Sequence, residues 1–227
     1  MTPASGLAMV PGMHSTGSSR GESSPRKLSK GEITRRNILK AAEASFADQG
    51  YDAARLEAIA DEVGIKQAAI FYYFPSKRRL FDELGQEIHQ SLVSLTQMRL
   101  DGVDDPWEKL MLLAEAWLDF MVARPTAARI ILRNCATPVA GDDRPEAYSS
   151  DALQLLRAII AEGVAAGRFA DVNSMYLVNL LSGSILHYVC NPEQLGSERP
   201  YRPDDPTEVA IFKTVLRKTA RAVLDVQ

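Results

Sequence analysis

Apolar residues recur along this chain every three or four positions, and no segment keeps the strict alternation of a strand. Ile33, Ile38, Leu39, Ala42 and Phe46 make one face of a helix that starts at Ser29, where Glu32 three positions later completes a capping-box pattern. Gly50 is its expected stop. A short helix over 55–63 turns Leu56, Ile59 and Ala60 inward, Gly64 makes a turn, and a third helix of about two turns covers 66–73. From Ser76, an N-cap residue, the pattern continues to about residue 100, which is about 35 Å of helix at 1.5 Å per residue. Further helices are expected over 107–123, over 125–134, up to a stop at Gly167, over 174–190 and over 207–225. The segment 174–190 is apolar nearly all round, which signals burial on several sides. The last helix takes Thr207 as its cap and carries Val209, Phe212, Val215, Leu216, Ala220 and Val223. The pattern predicts an all-α fold with a tail over 1–28, a three-helix head over 29–75 and a helical body over 76–227.

Two short helices joined at Asp61-Glu62-Val63-Gly64-Ile65 have the layout of a helix-turn-helix, in which one helix braces a second that enters the major groove of DNA. The next helix opens with Lys77-Arg78-Arg79, where the macrodipole favours acidic residues instead. A solvated first turn tolerates three cations, but an adjacent polyanion turns that cost into a gain. Charge is divided in the same sense. Residues 1–80 hold twelve Lys and Arg against eight Asp and Glu, while 81–227 hold fourteen against twenty-one, giving +4 and −7. A basic front on an acidic body suggests that the front alone meets nucleic acid.

Composition excludes several classes. The chain is 46% hydrophobic and 24% charged, ordinary for a soluble protein. Cys135 and Cys190 are distant and lack a second ligand pair, so neither a disulfide framework nor a zinc site is expected. No apolar run reaches about 18 residues and the N-terminus lacks a secretory pattern, so a cytoplasmic protein without a membrane span is expected. There is no glycine-rich phosphate loop, metal cluster or nucleophile–base pair, hence no catalytic or metal-binding residues and no cofactor.

Phe46, Gly50-Tyr51, Ile59-Ala60, Gly64-Ile65, Ile70-Phe71 and Tyr73-Phe74-Pro75-Ser76-Lys77 resemble the signature of the TetR/AcrR family of bacterial transcriptional regulators over about 31–80. Glu162 to Phe169 adds a weaker likeness in the body. The resemblance implies a homodimer on a double-stranded DNA operator, with a small-molecule effector in each body changing the spacing of the heads. Ala54, Lys66, Ala68 and Ala69 stand where the family more often has hydroxyls or glycine. Gln67 becomes the main polar reader, able to bond adenine, with Lys66 on guanine or phosphate and Ala68 and Ala69 at a thymine methyl. Phosphate contacts are expected from Thr34, Arg55, Tyr73 and Lys77, with Tyr72 at the groove edge and Phe71 and Phe74 in the core.

In the body, Trp117, Phe120, Met121, Tyr176, Asn179 and His187 are candidates for an effector cavity that is mostly apolar with few polar anchors, and packed core is the alternative for each. Glu108, Glu115 and Asp119 share a helix face and are expected to be solvated. The last two helices resemble the family's dimer interface, with Leu180, Gly183, Ser184, Phe212 and Leu216 as candidates. The expected function is therefore a ligand-responsive, homodimeric regulator, most simply a repressor released from a palindromic operator by a small hydrophobic effector. The competing expectation is an architectural or constitutive DNA-binding protein with no effector.

Overall fold

Nine α-helices and no strand make up the described residues, which in this computed structural model are 28–136, 150–193 and 201–225. Residues 1–27 of the expected tail, the loop over 137–145 and residues 194–200 of the proline-bearing stretch lie outside them. In chain order the helices are α1 (Lys30–Ala53), α2 (Leu56–Val63), α3 (Gln67–Tyr73), α4 (Lys77–Leu100), α5 (Pro106–Ala123), α6 (Pro125–Ala136), α7 (Ser150–Ala165), α8 (Ser174–Cys190) and α9 (Pro206–Leu224).

The caps explain most boundaries. Ser29 Oγ accepts from the Glu32 amide at 3.2 Å while the Ser29 amide donates to Glu32 Oε2 at 2.7 Å, closing the capping box of α1. Gly50, at φ 81° and ψ 171°, interrupts α1 where a stop is expected, and a last turn to Ala53 follows it. Gly64 ends α2 at φ 75°, a left-handed conformation that costs other residues about 1–2 kcal/mol. Ser76 Oγ caps α4 by accepting from the Arg79 amide at 3.1 Å. The expected cap of α9 is corrected: Asp205, not Thr207, takes that place, with Pro206 in the first helical position and the Thr207 amide donating to the Asp205 carboxylate at 2.8 Å.

Two hydrophobic clusters lie along the molecule. Ile38, Phe46, Ile59 and Ile70 of the first three helices, with Phe74 at the end of α3, share one with Leu80, Phe81, Leu84 and Ile88 of α4 and with Ala127 and Ile130 of α6. The head core therefore runs past residue 75, because α4 and α6 roof it. The larger cluster fills the body between α5, α7, α8 and α9, and Leu92 brings α4 into it. The acidic face of α5 is not simply solvated. Asp119 accepts from Arg99 at 2.7 Å and pairs with Lys213 at 2.8 Å, and Arg217 reaches Glu108 and Glu115, so these carboxylates tie α5 to α4 and α9.

Candidate nucleic-acid interface

The helix-turn-helix presents one narrow face. α2 buries Ile59 and Ala60 and α3 buries Ile70, which leaves most of the remaining positions of α3 to solvent. Lys66, Gln67 and Ala68 are exposed, Tyr72 is 85% exposed, and Ala69 and Tyr73 are half-buried. Tyr72 and Tyr73 meet edge-on with ring centroids 5.1 Å apart. Phe71, expected in the core, is 47% exposed. A helix this short buries one stripe; Ile70 and the following Phe74 fill it, and Phe71 points about 100° away beside Gln67, one turn earlier.

The expected phosphate contacts are placed unequally. Arg55 is exposed at the N-cap of α2 and makes no capping bond with its side chain. The Thr34 hydroxyl is half-buried and donates back to the Lys30 carbonyl at 3.0 Å. Lys77 Nζ donates to the Asp52 carbonyl at 3.0 Å and lies 4.8 Å from the Tyr51 ring centroid, which braces α4 against the end of α1. Burial lowers its pKa, against an opposing pull from Asp52. Arg78 pairs with Asp82 at 2.7 Å. Arg79 extends furthest of the three, 60% exposed and 3.9 Å from Glu83.

The body candidates divide into two groups. Met121 is fully buried, and Trp117 and Phe120 pack half-buried beside it on α5, with the Trp117 indole N–H buried and without a hydrogen-bond partner. Tyr176, Asn179 and His187 are exposed on the far side of α8, so the expectation that all six line one cavity is corrected. The physical reason is periodicity: Leu177, Leu181, Ile185 and Tyr188 fill the inward stripe of α8 and leave the opposite stripe to those three. His187 Nδ1 lies 3.0 Å from the Asn191 side-chain amide.

The dimer candidates also divide. Leu180 and Gly183 are exposed and Ser184 partly so, and a Cβ added at Gly183 would meet nothing within 4 Å. Phe212 and Leu216 instead turn inward. The Phe212 ring stacks on Tyr188 at 4.2 Å between centroids, and Leu216 is buried in the body core. Ile211 and Val215, one position earlier in each turn of α9, carry the outward apolar surface alongside Met175, Tyr176 and Leu180. Sequence reasoning missed Ile211, although its four-residue spacing from Val215 was the available signal.

Comparison with known proteins settles the relationship. The family model described as bacterial regulatory proteins of the tetR family matches residues 38–84, and one described as a tetracyclin repressor-like C-terminal domain matches 107–191, together more than half of the chain. The chain belongs to the TetR family. It is thus a helix-turn-helix, DNA-binding transcription regulator. The HTH-type transcriptional repressor NicS of Pseudomonas putida is 29% identical over 166 residues, 71% of this chain and 78% of that protein. The HTH-type transcriptional activator FasR of Mycolicibacterium smegmatis is 31% identical over 118 residues, 52% of each chain. The transcriptional regulator FadR of Bacillus subtilis, solved with stearoyl-CoA, superposes with a TM-score of 0.65 over 85% of this chain and 99% of that one, at 16% identity. Among the described residues no helix is long and apolar enough to cross a membrane, and no cluster of His, Cys, Asp or Glu is arranged to hold a metal.

Proposed function

We propose that this TetR-family protein is a homodimeric repressor that leaves a palindromic operator when a small hydrophobic effector enters its body. The observation that carries the dimer is the outward apolar strip that α8 and α9 leave exposed: Tyr176 is 75% exposed and Ile211 55%, and Leu180 and Val215 are exposed one turn further along the same two helices. Monomeric proteins rarely leave such a strip to water, and a two-fold axis through it buries the same patch twice. Two heads so paired read a palindrome, with Lys66, Gln67, Ala68, Phe71 and Tyr72 of each facing base edges and Arg55, Tyr73 and Lys77 facing phosphates.

Repression has its support in NicS, a repressor that aligns with 71% of the chain, whereas the activator FasR aligns with 52%. Effector binding is supported by Trp117: its unpartnered indole N–H, beside the apolar Phe120 and Met121, suits a ligand that is largely hydrocarbon with one acceptor. The experiment has two stages. Duplexes that bind are selected from a random pool, and their affinity is then measured with and without long-chain acyl-CoAs, free fatty acids and steroids. At least one compound is expected to weaken binding, and Trp117→Phe is expected to reduce that response. Indifference to the whole panel would instead favour a constitutive DNA-binding protein.

A further inference from the structure

At the corner where the head meets the body, one arginine holds two helices at once. Arg124 follows the last residue of α5, and its Nε and Nη2 donate to Glu43 Oε1 and Oε2 of α1 at 2.8 and 2.7 Å. The same guanidinium donates to Glu87 Oε1 and Oε2 of α4 at 3.2 and 2.6 Å. Thr126 Oγ1, at the start of α6, adds a bond to Glu43 Oε1 at 2.6 Å, and Ser91 Oγ donates to Glu87 at 3.1 Å. Glu43 is only 8% exposed. Nearby, Arg133 of α6 donates to the carbonyls of Ala47 and Asp48 at 3.1 and 2.9 Å.

Stability alone does not account for this arrangement. Ion pairs taken out of water recover little beyond their desolvation cost, and apolar side chains of equal volume hold such a seam at least as well. What a planar, two-pronged donor supplies is direction: both carboxylates must lie in the plane and at the angle of the fork. Glu43 sits in the middle of α1, a head helix, and Glu87 sits on α4 where that helix passes from the head core to the body core. Fixing both against the end of α5 fixes the tilt of the head on the body.

We propose that Arg124 is a positioning residue for operator recognition: by clamping Glu43 and Glu87 it sets the head angle, and therefore the half-site spacing that the paired heads accept. The inference rests on the operator-binding homodimer proposed above. Inserting one base pair between half-sites moves one of them by about 3.4 Å and turns it by about 34°. A clamped pair of heads is intolerant of that change and an unclamped pair accommodates it.

The test is a spacing series. Affinity of the full-length protein is measured on the selected operator and on duplexes with one pair inserted or removed between half-sites, for the wild type, Arg124→Met, Arg124→Lys and Glu43→Gln. Arg124→Met is expected to shrink the gap between best and off-spacing duplexes by about fivefold or more, the scale of a typical coupling between sites. Arg124→Lys, with charge but no fork, should fall between. A purely structural role lowers thermal stability and leaves the shape of the spacing profile intact, so an unchanged profile, or equal losses at every spacing, overturns the proposal. Should Arg124→Met fail to fold, Thr126→Val, which removes one hydroxyl, runs through the same series under the same criteria. A wild type that has no spacing preference on its selected duplexes defeats the homodimeric reading itself and this inference with it.

Discussion

Phe71 gains its interest from being misplaced by pattern alone. An apolar ring on α3 is expected inside, yet α3 has room inside for Ile70 and little more, and the ring emerges beside Gln67 and Ala68 on the exposed face proposed to meet DNA. In the major groove the feature that suits an apolar ring is the thymine methyl group. Replacing operator thymines one at a time by deoxyuridine removes that methyl and keeps the pairing. One position per half-site is expected to lose about threefold to tenfold in affinity, the worth of a buried methyl, for the wild type and not for Phe71→Ala. Equal sensitivity of both proteins would assign the methyl to Ala68 instead. Gly163 poses the converse case, a small residue with a large reason. A Cβ there would lie 2.0 Å from the Phe169 ring, which is itself buried against Trp107. Gly163→Ala is expected to destabilise by about 1–3 kcal/mol through overpacking, lowering Tm by about 2–4 °C per kcal/mol, and a second change, Phe169→Leu, should restore part of the loss. Gly31→Ala, with open space around it, is the control and should be neutral or mildly stabilising.

At the scale of helices, α9 separates assembly from folding within one turn. Ile211 and Val215 face out while Phe212 and Leu216 face the core, so charge at the first pair and truncation at the second have different consequences. Ile211→Glu with Val215→Glu should give folded monomers by light scattering, with helical content retained and operator affinity sharply reduced. Leu216→Ala should cost about 2–5 kcal/mol by cavity formation. If the double glutamate variant remains dimeric, α8 and α9 are not the interface. The helices themselves were legible because each carries local signals: the Ser29–Glu32 box, Ser76 before a long amphipathic run, and glycines where left-handed turns end α2 and interrupt α1. What was not legible was rotation about the helix axis. In 174–190 apolar residues surround the helix, so the sequence does not say which stripe faces its own bundle, and Tyr176, Asn179 and His187 are cavity candidates by pattern although they lie on the exposed stripe. Long-range polar contacts were equally hidden. Nothing local distinguishes Glu43 and Arg124, separated by 81 positions, from ordinary surface charges.

Over the whole molecule, Glu87, whose bonds to Arg124 join α4 to the end of α5, makes the fold sensitive to acid. Burial would raise the Glu87 carboxyl, but the hydrogen bonds and charge of Arg124, helped by Ser91, outweigh it and hold the group below its ordinary value of 4.5. Bonding to the Ser29 amide lowers Glu32, bonding to the Glu108 amide lowers Asp105, and Arg202 lowers Asp204, the last two from 3.8. A carboxyl lowered in the fold takes its proton more readily in the unfolded chain. Its stabilisation is therefore complete above the ordinary value and is lost as pH falls through the lowered one. Tm should thus be level through neutral pH and decline below about pH 4.5 as Glu87 begins to protonate in the unfolded chain. Protonation also removes the negative charge of the whole chain, leaving its 26 lysines and arginines to repel one another. Glu87→Gln distinguishes the two effects. It removes one member of the head–body clamp, so it should lower the neutral plateau and flatten the acid limb. General charge repulsion alone would leave the slope of that limb as it is in the wild type, and that result, in Tm measured from about pH 7 to about pH 3, would take Glu87 out of the acid response.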